Sequence, residues 1–262
     1  MKKIGFLGAG NMAKAIAQSL IGSKEICAYD INEDRCNIFA EMGVQVCISA
    51  KDLIQSSDIL ILAVKPQVMH EVLSDISEYI SNNMLIVSIA AGVTVSKIAS
   101  ILGSDKSIVR VMPNTPVMQG CGAVGVFGGS EVTSEQLDIV KSVFSTSSQV
   151  IVVEDESLID AVTAVSGSGP AYFFYMVEAM VKAGVQEGLS DAEAKLLASA
   201  TCMGAGAMLL NMPNTPAELR KMVTSPGGTT QAAIESLDLH NVADNIAKAV
   251  SAAAERSRQL RA

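Results

Sequence analysis

Tryptophan is absent from this chain, and histidine occurs only twice, at His70 and His240. His70 follows a Lys-Pro pair on an expected helix, and His240 stands in Leu-His-Asn at an expected helix start. Both read as solvated or capping residues, so the chemistry is not expected to rest on imidazole. Charged residues make up 18% of the chain, and the formal net charge is −8. A chain of that sign offers no basic face to a phosphate backbone, which excludes a nucleic-acid partner. No apolar run reaches the roughly eighteen residues of a membrane span. The first residues run straight into an expected strand, so no signal peptide is expected. The five cysteines, Cys27, Cys36, Cys47, Cys121 and Cys202, are odd in number and form no CxxC pair. That pattern argues against a zinc site or a disulfide framework. No metal is expected, and a reducing cytoplasm is the natural setting.

What the chain does have is apolar residues, 49% of its 262 positions, enough for one large domain or two ordinary ones. Its organising stretch is Lys2–Ala13, KKIGFLGAGNMA. A short apolar run, Ile4 to Leu7, opens into Gly8-Ala9-Gly10-Asn11-Met12-Ala13 and continues in a helical pattern to Leu20. Gly8 permits a tight turn, and Gly10 keeps a side chain away from the place where a pyrophosphate meets the backbone. Ala13, where a third glycine often stands, still lets the helix pack closely on the strand. The free N–H groups of the helix start then face the phosphates. A dinucleotide cofactor is expected here. A second strand, Ile26–Tyr29, ends in Asp30, twenty residues beyond Gly10. That is the usual interval for a carboxylate that accepts the ribose hydroxyls and repels a 2′-phosphate. Arg35, five residues on, could instead reach a 2′-phosphate, so the residues lean to NADH and leave NADPH open.

Strands and helices then alternate. Val44–Cys47, Asp58–Val64, Met84–Ile89 and Ile108–Met112 read as strands, the second as a continuous apolar run buried on both faces of a parallel sheet. Pro66 stands at the first position of the helix after Lys65. Ligands of an open α/β sheet gather at the carboxyl ends of its strands. Ala63–Pro66, Ala90–Gly92 and the Pro113–Pro116 turn all fall there. Gly120–Phe127 reads as a further strand in an antiparallel or edge position, followed by a helix from Ser134 capped by Thr133 and a last strand, Gln149–Val153.

Past Glu154 no strand period returns. Leu158–Leu189 is helical and apolar, broken by Ser166-Gly167-Ser168-Gly169-Pro170, either for close packing or a kink, or to bare N–H groups beside a ligand. Ala192–Met212 is a second helix studded with Ala, Gly and Met. Helices this apolar need more burial than a lone 100-residue domain provides, so a partner subunit is expected on them. Pro216–Thr230 reads as a short helix, a break at Ser225-Pro226-Gly227-Gly228, and a new helix start. Its bared N–H groups suit a small carboxylate, with the Thr230 hydroxyl beside them. The expected fold is α/β: a doubly wound, mostly parallel Rossmann sheet over 1–154, followed by an all-helical substrate and dimerisation domain over 155–262.

With those residues in view, the chain resembles the pyrroline-5-carboxylate reductases nearly end to end. The likeness rests on FLGAGNMA at 6–13, AVKP at 63–66, AAGV at 90–93, the Pro113–Pro116 turn, LIDAVT at 158–163 and SGSGPAY at 166–172. Its most specific part is VTSPGGTT at 223–230. The resemblance implies reduction of 1-pyrroline-5-carboxylate to L-proline by NADPH or NADH, the last step of proline biosynthesis. It implies cofactor contacts at Leu7, Gly8, Ala9, Gly10, Asn11 and Met12, at Asp30, at Ala63, Val64, Lys65 and Pro66, and at Ala90, Ala91 and Gly92. Substrate contacts would fall on Gly228, Thr229 and Thr230, with Glu156 beside them and Thr230 as the catalytic group. A homodimer through the C-terminal helices, or a larger homo-oligomer, is implied as well. One departure stands out: many members carry Ser or Thr where this chain has Asp30, which fits their use of NADPH.

The residues keep three alternatives open. A 3-hydroxy-acid dehydrogenase would need a helical lysine, and Ala161–Tyr175 contains none. A reductase of another cyclic imine would share every motif above. A non-catalytic NAD(P)H sensor would bind the cofactor without needing the corner at 223–230.

Overall fold

The computed structural model describes residues 2–261, which form an eight-stranded sheet and twelve α-helices. Two compact units are present: residues 2–168 together with 253–261, and residues 169–252. The change of pattern expected at 154/155 follows the last strand, whereas compactness divides the chain after Ser168.

In the first unit the strands are β1 (Ile4–Leu7), β2 (Ile26–Tyr29), β3 (Gln45–Val46), β4 (Ile59–Leu62), β5 (Leu85–Ser88), β6 (Ser107–Met112), β7 (Gly122–Gly128) and β8 (Ser148–Val152). They lie in the order β3-β2-β1-β4-β5-β6-β7-β8. All neighbours are parallel except β6 and β7. The order reverses between β1 and β4, the switch point where a doubly wound sheet opens a crevice at its carboxyl edge.

The central strands are buried on both faces, and their side chains still alternate between two cores. In β4, Ile59 and Ile61 join one core with Phe6, Ile16 and Phe39, while Leu60 and Leu62 join the other with Leu53, Leu73 and Ile98. Each such side chain contributes roughly 1.5–3 kcal/mol by burial. Helix α1 (Asn11–Leu20) covers the first face through Ala13, Ile16, Ala17 and Leu20, one stripe at helical spacing. Helices α2 (Glu33–Glu41) and α6 (Ser134–Phe144) also serve that face, and α3 (Ala50–Gln55), α4 (Met69–Ile76) and α5 (Val95–Leu102) cover the other. After β8 the chain enters α7 (Leu158–Val162) and a π-helical turn over Thr163–Gly167.

The second unit contains α8 (Gly169–Gln186), α9 (Asp191–Asn211), α10 (Pro216–Met222), α11 (Thr229–Leu239) and the first part of α12 (Val242–Arg261). Large apolar side chains on α8 and α9 stand open, among them Phe174, Tyr175, Leu196, Met203 and Leu210. His240 differs from expectation. It ends α11 rather than starting a helix, and its Nδ1 lies 2.7 Å from the Ser236 carbonyl one turn back. Among the described residues no helix is long and apolar enough to cross a membrane.

Candidate active site

The glycine turn is built as its spacing demands. Gly8 has φ +100°, and a β-carbon there would lie 2.8 Å from the carbonyl carbon and oxygen of Ala63. Two separate constraints, the left-handed backbone and the approach of β4's exit, therefore require glycine at this position. Gly10 is different. Its φ is an ordinary −73°, and a β-carbon there would meet nothing within 4 Å. Neither strain nor internal packing calls for glycine at Gly10; a ligand laid against the backbone does. Gly10 is also the N-cap of α1, with no side-chain cap and no acidic residue in the first turn. The N–H groups of Asn11, Met12 and Ala13 are the first of the helix and take no side-chain cap from Gly10, as a phosphate site requires. The residues present fit a dinucleotide.

The sheet brings the other expected cofactor residues to the same edge. Asp30 follows β2, Ala63–Pro66 follow β4, and Ala90–Gly92 follow β5, with β2, β1, β4 and β5 adjacent in register. Ala63 and Val64 are half-buried, Lys65 and Ala91 are exposed, and Pro66 opens a single 3₁₀ turn before α4. Asp30 is more occupied than its ribose reading supposed. Its Oδ2 accepts the Ala9 N–H at 2.7 Å, its Oδ1 accepts the Asn32 N–H at 2.9 Å, and Arg35 Nη1 stands 3.5 Å from Oδ2. The carboxylate thus ties the end of β2 to the glycine turn.

Glu156 occupies a post that the sequence did not suggest. Its Oε1 accepts Arg110 Nη1 at 3.0 Å and the Val95 N–H at 2.9 Å. Arg110 is 1% exposed, a cation flanked in its strand by Val109 and Val111, and Glu156 is its counter-ion. The same oxygen satisfies the first helical N–H of α5, three residues beyond Gly92. Sequence reasoning passed over buried Arg110, and it met buried Asn114 and Asp160 only as members of a turn and a motif, without a partner for either. An arginine within Ser107–Met112, SIVRVM, was a usable signal. Asn114 was hidden in what read as a loop: its Oδ1 accepts the Ala123 N–H and its Nδ2 donates to the Ser166 carbonyl. Ser166–Pro170 spans the end of the π-helical turn and the start of α8. The Thr163 and Ser166 hydroxyls donate to the Ile159 and Val162 carbonyls of their own helix, in and beside that π-turn.

In the second unit, Gly228, Thr229 and Thr230 open α11. Gly227 has φ +71°, which glycine adopts freely, and Gly228 is an N-cap without a capping side chain. Gln231 turns back to take the Gly227 N–H at 2.7 Å. The hydroxyl of Thr224 donates to the Arg220 carbonyl, while that of Thr230 has no partner among the described residues. Six other helix starts are closed by side chains: Asn32, Ser49, Thr94, Thr133, Ser190 and Thr215 each accept a first-turn N–H, whereas α4 and α7 also start without a side-chain cap, behind Val68 and Ser157. Helices α1 and α11 are opened by glycine and left uncapped, and they are the two helices at which phosphate and carboxylate were expected.

A doubly wound sheet with an open glycine turn at its switch point defines a dinucleotide-dependent oxidoreductase. Comparison with known proteins narrows the class. Residues 156–260 match the family model described as pyrroline-5-carboxylate reductase dimerisation, and residues 3–92 match NADP oxidoreductase coenzyme F420-dependent. The pyrroline-5-carboxylate reductase of Pseudomonas aeruginosa is 39% identical, the match covering 98% of this chain and 96% of that protein. The crystal structure of a pyrroline-5-carboxylate reductase from Coxiella burnetii superposes with a TM-score of 0.95 at 36% identity, over 100% of this chain and 99% of that one. The Plasmodium falciparum pyrroline carboxylate reductase, solved with NADP bound, gives 0.87 at 30% identity, over 100% and 98%. The chain belongs to the pyrroline-5-carboxylate reductase family, NAD(P)H-dependent oxidoreductases that act on a C=N bond.

Proposed function

We propose that the chain reduces 1-pyrroline-5-carboxylate to L-proline with NAD(P)H, closing proline biosynthesis. The observation that carries this reading is the pair of uncapped, glycine-opened helix starts at Gly10 and Gly228. Leu7, Gly8, Ala9, Gly10, Asn11 and Met12 would seat the pyrophosphate, Asp30 the adenosine ribose, and Ala63–Pro66 with Ala90–Gly92 the nicotinamide half. The bound cofactor supplies the hydride. A protonated cyclic imine accepts hydride at carbon without a strong acid, so the protein's work is positioning and electrostatics. The N–H groups after Gly228 would hold the substrate carboxylate, with Thr229 and Thr230 lining the place. Thr230, hydrogen-bonded to the ring nitrogen, would stabilise or supply its proton. Glu156 belongs to the same proposed set through Oε2, the oxygen that neither Arg110 nor Val95 engages.

The same reading takes 1–154 as the dinucleotide-binding domain and 155–262 as the substrate and dimerisation domain, in keeping with the family match over 156–260. It places a homodimer on the C-terminal helices, which the open apolar side chains of α8 and α9 support. Five free cysteines suit a cytoplasmic location.

The test follows NAD(P)H absorbance with 1-pyrroline-5-carboxylate added, using each cofactor in turn. Oxidation of either, with L-proline as product, is the expected result. Cofactor binding without oxidation would make the chain a sensor and defeat the reading.

A further inference from the structure

Asp160, in α7, is buried to 1% and faces the last turn of α12. Its Oδ1 accepts the Ser257 hydroxyl at 2.7 Å. Arg261 Nη2 stands 3.4 Å from Oδ2, which has no hydrogen-bond partner among the described residues. The same turn also reaches the loop after β5. The Arg261 carbonyl accepts Lys97 Nζ at 2.7 Å, and a β-carbon on Gly92 would lie 3.1 Å from the Leu260 carbonyl oxygen. Gly92 has φ +74°, so it can turn its bare side to that carbonyl.

Residues 90–95 are therefore clasped from two sides: by Glu156 through the Val95 N–H, and by residues 257–261 through Gly92 and Lys97. Beside the loop lies a cavity of about 370 Å³, lined by Pro66, Met69, Leu73, Gly92, Lys97 and Leu260. Ala90 and Val93 pack into the second core, while Ala91 and Gly92 border the cavity, so on that flank the loop is held by the clasp and not by packing. A buried carboxylate with one oxygen unbonded is a poor way to add stability; its use is to fix one arrangement among several.

We infer that Asp160 is a positioning residue that, through Ser257 and Arg261, sets the Ala90–Gly92 loop for the nicotinamide cofactor. The inference rests on the proposed reading of that loop as a cofactor contact. Because the chain has no tryptophan, the fluorescence of reduced cofactor reports binding directly, without substrate. In such titrations Asp160→Asn and Ser257→Ala raise the Kd for NADH and NADPH at least fivefold, with Tm measured alongside. Should Asp160→Asn fail to fold, Arg261→Ala carries the test, since that guanidinium is 28% exposed and its loss leaves no buried void. A merely structural cluster would lower Tm and leave the Kd of the folded protein within twofold, and that outcome overturns the inference. Ala91→Leu separates the two readings. If Ala91→Leu weakens cofactor binding and the clasp variants do not, the clasp alone is wrong; if Ala91→Leu has no effect, the loop is not a cofactor contact.

Discussion

The Asp30 carboxylate accepts the Ala9 N–H at 2.7 Å, joining the end of β2 to the middle of the glycine turn. A residue expected to serve a ribose thus also holds the glycine turn. The side chain is 7% exposed, with Arg35 as its only ion-pair partner among the described residues. The link makes cofactor preference and turn geometry one problem.

Asp30→Ser should move preference toward NADPH. The change removes a negative charge that would repel a 2′-phosphate and releases Arg35, 3.5 Å away, to meet one. We expect the NADPH-to-NADH ratio of kcat/KM to rise roughly tenfold. Because the Ala9 N–H also loses an acceptor, the NADH Kd should rise as well. A strong NADPH preference in the unaltered chain would defeat the ribose assignment.

Gly8 and Gly10 should part company when each is replaced by alanine. Gly8→Ala forces a left-handed backbone and a 2.8 Å contact with the Ala63 carbonyl, so it should cost roughly 1–3 kcal/mol and lower Tm. Gly10→Ala meets neither obstacle and should melt like the parent. Its cofactor Kd should nonetheless rise about tenfold, because the new methyl occupies the phosphate's approach. Equal Tm losses in the two variants would mean that Gly10 has a packing role absent from the structure.

Much of this was legible before the fold was known. Strand positions in the first unit followed from short apolar runs, several closed by glycine or proline, and Thr133 was readable as a cap because its side chain acts locally. The glycine-opened start of α11 was readable for the same reason: Gly227 and Gly228 act within one turn. The polar partnerships of distant segments were not readable. Arg110 and Glu156 are 46 positions apart and Asp160 and Ser257 are 97, and neither spacing has a sequence signature. Asp30 was half legible; its interval from Gly10 pointed to a ribose, but its bond to Ala9 exists only once β1 and β2 are side by side.

Glu156→Ala tests which of two duties dominates. The variant leaves the Arg110 guanidinium, 1% exposed, without a counter-ion, and the α5 start without its acceptor. Breaking a buried pair from one side costs about 3–5 kcal/mol, less here because the Glu156 side chain is 20% exposed. A fall in Tm of several degrees is expected. Glu156→Gln, which retains an acceptor oxygen, should recover part of it. If Tm is unchanged and only the KM for substrate moves, the pairing role is secondary.

Two helix starts in the second unit should weaken in acid. Glu193 and Glu218 complete capping boxes with Ser190 and Thr215. The side-chain and backbone hydrogen bonds of Ser190 hold the Glu193 carboxyl below the usual glutamate range, and those of Thr215 do the same for Glu218. A depressed folded-state pKa gives stability that is present above the ordinary value of 4.5 and lost as pH falls through the folded value. Thermal melts followed by circular dichroism from pH 7 to pH 3 should show a steeper decline below pH 4.5 for the parent than for Glu193→Gln/Glu218→Gln. Parallel curves would mean that the two caps do not contribute to the acid response.

Thr230→Ala bears most directly on the reaction. The Thr230 hydroxyl has no partner among the described residues, so its removal breaks no internal hydrogen bond, and alanine suits a first helical turn. Tm should stay within a few degrees. If the hydroxyl meets the ring nitrogen in the reaction, turnover should fall at least about tenfold while the cofactor Kd is unchanged. Thr230→Ser, which keeps the hydroxyl, should restore most of the rate, whereas Thr230→Val, which keeps the shape, should not. The N–H groups at Thr229 and Thr230 survive in all three variants, so the substrate KM should move less than kcat. Near-normal turnover in Thr230→Ala would remove this residue from the chemistry and leave the corner a carboxylate seat alone.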